Sequence, residues 1–250
     1  AATTLQQRCN HCPVRELETW TRIAPLTHEI HELKRTTDVC LIAHSYQTPD
    51  IVYGVADAVS DGYSLSKAER DAPQRTILFS SVHFMAETAK IVSPHKTVLH
   101  PSPEAGCSLS DSITAADVRD LKARYPGVPV ACYINTSAEV KAEVDVCVTS
   151  SNYLRICEKL PGDRLIFVPD RLMGKHLAEH LAGRKEVINY DGECYVHATV
   201  TGKKSRPWRS RTAEPRIELK ALRTPAQDYE DLERRERGGG ATRNTICPGP

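Results

Sequence analysis

The residues of this sequence best suited to chemistry are nine cysteines and three short polar clusters. The cysteines stand at positions 9, 12, 40, 107, 132, 147, 157, 194 and 247. Cys107 ends Ala105-Gly106-Cys107, and Cys194 ends Asp191-Gly192-Glu193-Cys194. Glycine-containing turns of this kind expose a sulfur rather than bury it, and an exposed thiolate is a soft metal ligand. Cys40, Cys132, Cys147 and Cys157 sit in apolar runs and read as core thiols. Cys9 and Cys12 form an isolated CxxC without a second pair beside it, a weak zinc signal. The polar clusters are His44-Ser45-Tyr46-Gln47, Tyr133-Ile134-Asn135-Thr136-Ser137 and Thr149-Ser150-Ser151-Asn152. A histidine can neutralise a carboxylate or move a proton, and a tyrosine can assist proton transfer at a carbonyl or enol. Serine and asparagine supply orienting hydrogen bonds. The plain alternative is a backbone-satisfied His44, a Tyr46 on a domain edge, and hydroxyls that only cap helices. Helix-start amides also hold carboxylates and phosphates. Three such edges suit a small, anionic, oxygen-rich substrate.

Each cluster follows an apolar run that must position it. Strand-length runs occupy 38–46, 76–82, 97–100, 128–135, 144–151, 164–170 and 186–190. They are nearly continuous rather than alternating, as strands buried on both faces are. Helical segments lie between them at 83–92, 115–124, 152–159 and 171–181, with a leading helix within 15–35. In 83–92 the spacing predicts one apolar face of Phe84, Met85, Ile91 and Val92. Alternating β and α units predict an α/β fold of parallel sheets covered on both faces. Cys107 and Cys194 lie 87 residues apart and close two similar stretches, so the units read as repeated small domains. We divide the chain into a helical lead-in at 1–37, a first α/β domain at 38–110 with Cys107, a second at 111–200 with Cys194, and an atypical tail at 201–250.

Composition narrows the function. Thirty-three Lys+Arg against 32 Asp+Glu give a net charge near +1, which argues against a non-specific nucleic-acid binder. No apolar run is long enough to span a bilayer, and the first residues lack the apolar core of a secretory signal, so a cytoplasmic protein with reduced thiols is expected. Neither GxGxxG nor GxxxxGK[ST] occurs. His28 and His31 lack the spacing of a zinc-protease motif and read as helix-surface residues. The segment 203–250 has 12 Lys+Arg, 7 Asp+Glu and five prolines, and only five residues from Leu, Ile, Val, Phe and Met. It can bury little apolar surface and reads as irregular, with one charged helix around 226–237.

The order of these motifs resembles the quinolinate synthase family. The matching stretches are AHSYQTPDI (43–51), VHFMAETAKIVSPHKTVL (82–99), EAGCSL (104–109), YINTSAEVKAEVD (133–145), VTSSN (148–152), IFVPDRLMGKHL (166–177) and GECYVH (192–197). The resemblance implies small three-layer αβα domains in a pseudo-threefold arrangement around one [4Fe–4S] cluster, with one cysteine from each domain. It implies condensation of iminoaspartate with dihydroxyacetone phosphate to quinolinate, in the biosynthesis of NAD, with L-aspartate oxidase as the upstream supplier. Cys107 and Cys194 match two cluster ligands. His44 and Tyr46 match catalytic positions, and His44, Tyr133, Asn135, Ser150 and His197 match substrate-binding ones.

The sequence also departs from the family pattern. Where the family has Asp-Ser-Leu, this chain has Asp61-Gly62-Tyr63, so the serine hydroxyl is lost and Ser64 is the candidate to replace it. No His-Pro-Glu or Ser-Thr-Ser segment follows residue 198, so the third repeat is incomplete. Cys247, 53 residues beyond Cys194, is the remaining candidate for the third cluster ligand. An interruption of the family sequence near Gly202, by frameshift or truncation, accounts for the change in composition there. Two other readings stand beside the enzyme: an inactive two-domain binding fragment, and a metal or iron–sulfur scaffold built from Cys9, Cys12 and Cys247.

Overall fold

The seven strand-length runs all form strands, and every pairing among them is parallel. In this computed structural model the described residues are 17–199. The expected 226–237 helix, Cys9, Cys12 and Cys247 lie outside them. Two compact units are present, one ending at Ala105 and the other starting at Gly106. The boundary falls before Cys107, which therefore groups with the second unit.

The first unit opens with helix α1 (Leu17–Thr36), followed by β1 (Val39–His44), α2 (Pro49–Val52), β2 (Ala58–Ser60), α3 (Gly62–Asp71), β3 (Thr76–Ser80), α4 (His83–Val92) and β4 (Thr97–Leu99). Its sheet has the order β2-β1-β3-β4. The second unit contains a 3-10 turn (Ser110–Ser112), α5 (Ala115–Arg124), β5 (Val130–Tyr133), α6 (Ala138–Ala142), β6 (Val146–Val148), α7 (Tyr153–Lys159), β7 (Arg164–Val168), α8 (Arg171–His180), β8 (Glu186–Asn189) and α9 (Tyr195–Thr199). Its sheet order, β6-β5-β7-β8, is the same plan used again.

The repetition extends to single hydrogen bonds. Asp57 enters β2, and its carboxylate accepts from the Leu41 amide at 2.8 Å while its own amide donates to the Leu41 carbonyl at 2.7 Å. Asp145 enters β6 and does the same to Val130, at 2.8 and 3.1 Å. Beyond the strand ends, the Ser45 amide donates to the Ser60 carbonyl and the Ile134 amide to the Val148 carbonyl. His44 and Tyr133 therefore hold equivalent places in the two units, as do Tyr46 and Asn135.

The second sheet explains why its strands read as continuous apolar runs. Val130 and Cys132 of β5, with Ile166 and Val168 of β7, pack on one face against Val118, Leu121 and Val140. Ala131, Tyr133, Leu165 and Phe167 pack on the other face against Tyr153, Cys157, Met173 and Leu177. With both faces dry, alternation disappears from the sequence. Gly127, Gly162 and Gly183 have φ of 78°, 80° and 74° and turn the chain ahead of β5, β7 and β8. A side chain is strained in that left-handed region.

Two details differ from expectation. Helix α4 buries Phe84, Ala86 and Ala89, whereas Ile91 and Val92 are exposed. The small alanines let the helix lie close to the sheet, and its last turn leaves the packed face. Cys147 is exposed rather than a core thiol, because β6 is a three-residue edge strand.

Candidate active site

In open parallel sheets, ligands bind beyond the carboxyl ends of the strands. In the second unit that edge gathers Tyr133, Ser150, Cys107 and Cys194. Tyr133 ends β5 and is buried, and Ser150 is buried in the turn after β6. Burial drives the Tyr133 pKa well above the ordinary range, and Asp170, Cys107 and Cys194 add to the effect. The phenol is therefore a permanently protonated donor, not a phenolate. Asn135 is half-buried in the turn between β5 and α6.

Cys107 and Cys194 are both half-buried and pack against the same apolar cluster, which includes Leu109, Tyr133 and Phe167. Burial raises the Cys107 thiol pKa, backbone amides of Ser110 and Leu109 oppose that rise, and the nearby Cys194 adds to it. The two sulfurs are thus close enough to feel each other's charge.

A clamp brings them together. Gly192 makes a parallel bridge to Asp170, and its carbonyl accepts from the Arg171 amide at 2.9 Å. A Cβ on Gly192 would lie 2.4 Å from the Pro169 carbonyl oxygen and 2.7 Å from Ser112 Oγ. Real Cβ atoms do not approach so closely, so only glycine lets the segment before Cys194 lie flat on the turn after Cys107. The Tyr190 hydroxyl donates to the Ser112 carbonyl at 3.1 Å, and Ser112 Oγ donates to the Leu109 carbonyl at 2.7 Å. Among the described residues, no group of three or more His, Cys, Asp or Glu side chains could hold a metal ion. The cysteines are thus a two-sulfur pair, and a closed metal site needs donors from elsewhere.

The first unit has its own polar edge. His44 ends β1, and its Nδ1 accepts from the Tyr46 amide at 3.2 Å while the two rings stack at 3.9 Å. Burial lowers the His44 pKa to about 4. The ring is neutral at pH 7, and since Nδ1 accepts, its proton sits on Nε2. The Tyr46 hydroxyl accepts from the Val82 amide at 2.9 Å, at the start of α4, and lies 2.8 Å from Ser81 Oγ. Ser81 Oγ in turn donates to Met85 Sδ at 2.8 Å, so the Tyr46 proton points to Ser81. The Ser81 carbonyl accepts from His100 Nε2 at 2.9 Å.

Ser64 is exposed on α3, and the Asp61 carboxyl before that helix has its pKa raised by burial, an effect that Ser64 opposes. Gly62, two residues past β2, holds the place that Ser150 holds two residues past β6. His197 lies on α9, and its side chain is outside the described residues.

Sequence reasoning missed Ser81, Ser112 and Asp170. Asp170 is buried, ends the strand run at β7, and caps α8 by accepting from the Leu172 and Met173 amides. Its signal was an aspartate between an apolar run and a helix. Ser81 likewise follows β3 directly before α4. Ser112 carried no signal, because its role comes from a segment distant in sequence.

Comparison with known proteins adds an independent line. A family model described as quinolinate synthetase A protein matches residues 28–220. A quinolinate synthase of Sinorhizobium medicae is 45% identical over 200 residues, covering 80% of this chain and 55% of that protein. One of Mycobacterium sp. strain KMS is 50% identical over 175 residues, or 70% of this chain and 51% of that protein. One of Dehalococcoides mccartyi is 45% identical over 175 residues, or 70% and 57%. The chain spans about half the length of these relatives.

Proposed function

Because the chain belongs to the quinolinate synthetase A family, we propose that its two polar edges serve quinolinate synthesis, the condensation of iminoaspartate with dihydroxyacetone phosphate with loss of phosphate and two waters. The observation that carries this reading is the packing of Cys107 and Cys194 on one apolar cluster that includes Tyr133, with Ser150 buried in the turn after β6. The pair fits two of the thiolate ligands of a [4Fe–4S] cluster in donor type, and both cysteines pack on one apolar cluster. A further thiolate must come from outside the described residues, where Cys247 lies. When bound, such a cluster, with one iron free of protein sulfur, supplies a Lewis acid.

The protein's own groups supply orientation and protons. Tyr133 and Ser150 offer neutral hydrogen bonds to a carboxylate of the iminoaspartate skeleton, and Asn135 extends that edge. The uncharged His44 donates through Nε2–H, a hydrogen bond rather than an ion pair. Tyr46 moves a proton between its oxygen and Ser81, suited to the enol and hydroxyl steps of a condensation–dehydration. His197, by family resemblance, and Ser64, as the replacement for the family serine lost at Gly62, complete the substrate-binding set. An oxidase acting on L-aspartate supplies the imine, and a cytoplasmic setting keeps the thiols reduced.

The test is anaerobic reconstitution of the chain with ferrous iron and sulfide, followed by metal and sulfide counts and an assay for quinolinate. Cluster binding that is lost in both Cys107→Ala and Cys194→Ala, with Cys40→Ala unaffected, supports the reading. Iron that ignores both substitutions but disappears with Cys9→Ser and Cys12→Ser overturns it in favour of a separate metal scaffold. A wild-type chain that binds no cluster and forms no quinolinate overturns it outright.

A further inference from the structure

We propose that Cys132 and Cys147 form a reversible dithiol–disulfide pair, a second sulfur site distinct from Cys107 and Cys194. The sheet register places them directly opposite each other on β5 and β6. Partners in register share a face, and neighbouring strands run about 4.7–4.9 Å apart. A disulfide tolerates Cα separations of about 4.4–6.8 Å and wants Cβ atoms about 3.5–4.5 Å apart. The backbone spacing is therefore already suitable, and the Cβ atoms need to close by about one ångström. That movement falls on β6, a strand of three residues at the edge of the sheet among the described residues.

The two sulfurs have different surroundings. Cys147 is exposed, whereas Cys132 is fully buried among Val118, Leu121, Val130 and Val140. The Cys132 thiol donates to the Tyr133 carbonyl oxygen at 3.2 Å, and its sulfur lies 3.2 Å from Thr136 Oγ1. Cys132, the larger influence, and Lys141 together draw the Cys147 thiol down to about 7. One cysteine is thus reachable and partly ionised, while the other is sheltered directly across the strand pair. That is the division between an attacking and a resolving thiol. Cys107 and Cys194 pack against the cluster on the opposite face of the sheet, so the two pairs do not compete.

The chemistry balances with a hydroperoxide as oxidant. The Cys147 thiolate attacks one oxygen of hydrogen peroxide, the O–O bond breaks, and hydroxide leaves, giving a sulfenic acid. The Cys132 sulfur then attacks the Cys147 sulfur, the S–O bond breaks, and the Cys132 proton leaves with the hydroxide as water. Two electrons pass from the two thiols to the peroxide, and two waters form in all. A small dithiol reverses the reaction by exchange. The bond itself does not rest on the quinolinate synthase reading. Any effect on turnover does, through Tyr133 and Ser150, which follow the two cysteines on the same strand ends.

The test uses the reduced full chain, one equivalent of hydrogen peroxide, alkylation and tryptic mapping. Lys141 lies between the two cysteines, so trypsin separates residues 125–141, with Cys132, from residues 142–155, with Cys147. The expected result is one linked pair of these peptides, two hydrogens lighter than their sum and released by dithiothreitol. In Cys132→Ser the link vanishes, Cys147 stops at the sulfenic acid, which dimedone traps, and a second equivalent of peroxide carries it to sulfinic acid. In Cys147→Ser, Cys132 stays a free thiol under the same treatment. A wild-type chain in which Cys147 is oxidised while Cys132 remains alkylatable overturns the proposal. So does a chain in which other cysteines oxidise first and these two stay free.

Discussion

Gly192→Ala tests whether the two cysteines are held together by close backbone approach. The added methyl would start 2.4 Å from the Pro169 carbonyl oxygen and 2.7 Å from Ser112 Oγ. An ordinary contact needs about 3.4 Å or more, so the 190–194 segment must withdraw by close to an ångström. Overpacking of this kind costs about 1–3 kcal/mol. With a urea dependence of about 1–3 kcal/mol per molar, the unfolding midpoint should fall by about 1 M. The same withdrawal carries Cys194 away from Cys107, so iron retained after reconstitution should drop with stability. Ser112→Ala distinguishes the two obstacles. In the double variant it removes the contact to Ser112 but leaves the worse one to Pro169, so recovery should be partial. Urea titration monitored by circular dichroism, with iron counts on the same samples, measures both. Gly192→Ala protein with a wild-type midpoint and wild-type iron content would refute the clamp.

Three further outcomes follow from the same geometry. Cys107→Ala and Cys194→Ala should each reduce cluster retention at least tenfold in iron counts, whereas Cys157→Ala, deep in the second core, should lower stability by about 1–2 kcal/mol without affecting iron. His44 should titrate near pH 4 in an NMR experiment assigned with His44→Asn, because burial disfavours its charged form. Its pKa is depressed on folding, so its contribution to stability is complete above about pH 6.5 and is lost as pH falls towards 4; His44→Asn should flatten that loss. Gly62→Ser should fold without penalty, since a Cβ there meets only Met85 Cε at 3.8 Å, and the hydroxyl should strengthen substrate binding up to about tenfold in KM, the worth of one hydrogen bond.

How much of this was legible depended on whether burial left a pattern. The strands β1, β3, β5 and β7 were readable because both of their faces are apolar. Strand β2 was not, because Ala58–Ser60 is three residues long with only partial burial. Helix α3 escaped for a different reason: it buries Leu65 and the carboxylate of Glu69, and a buried acid erases the amphipathic signal. Ser93 Oγ donates to Glu69 at 2.9 Å, a partner that local reading cannot supply. At the site, Tyr133, Ser150, Cys107 and Cys194 were nameable from motif and position. Their mutual contacts were not, since those depend on Ser112, Gly192 and Asp170 meeting across long stretches of chain. The exposure of Cys147 was misread because the run around it is apolar, and nothing local marks an edge strand.

The aspartates that open β2 and β6 carry a wider consequence. A strand of three residues has too few rungs to resist sliding by one position, and a slip by one turns every side chain to the opposite face. Asp57 and Asp145 each grip a central-strand residue through both backbone and carboxylate, which a shifted alignment cannot reproduce. They act as alignment pins. Ser60 and Val148 owe their depth to them, and so in turn do Gly62 and Ser150, whose distance from the strand ends is fixed by counting from these two acids.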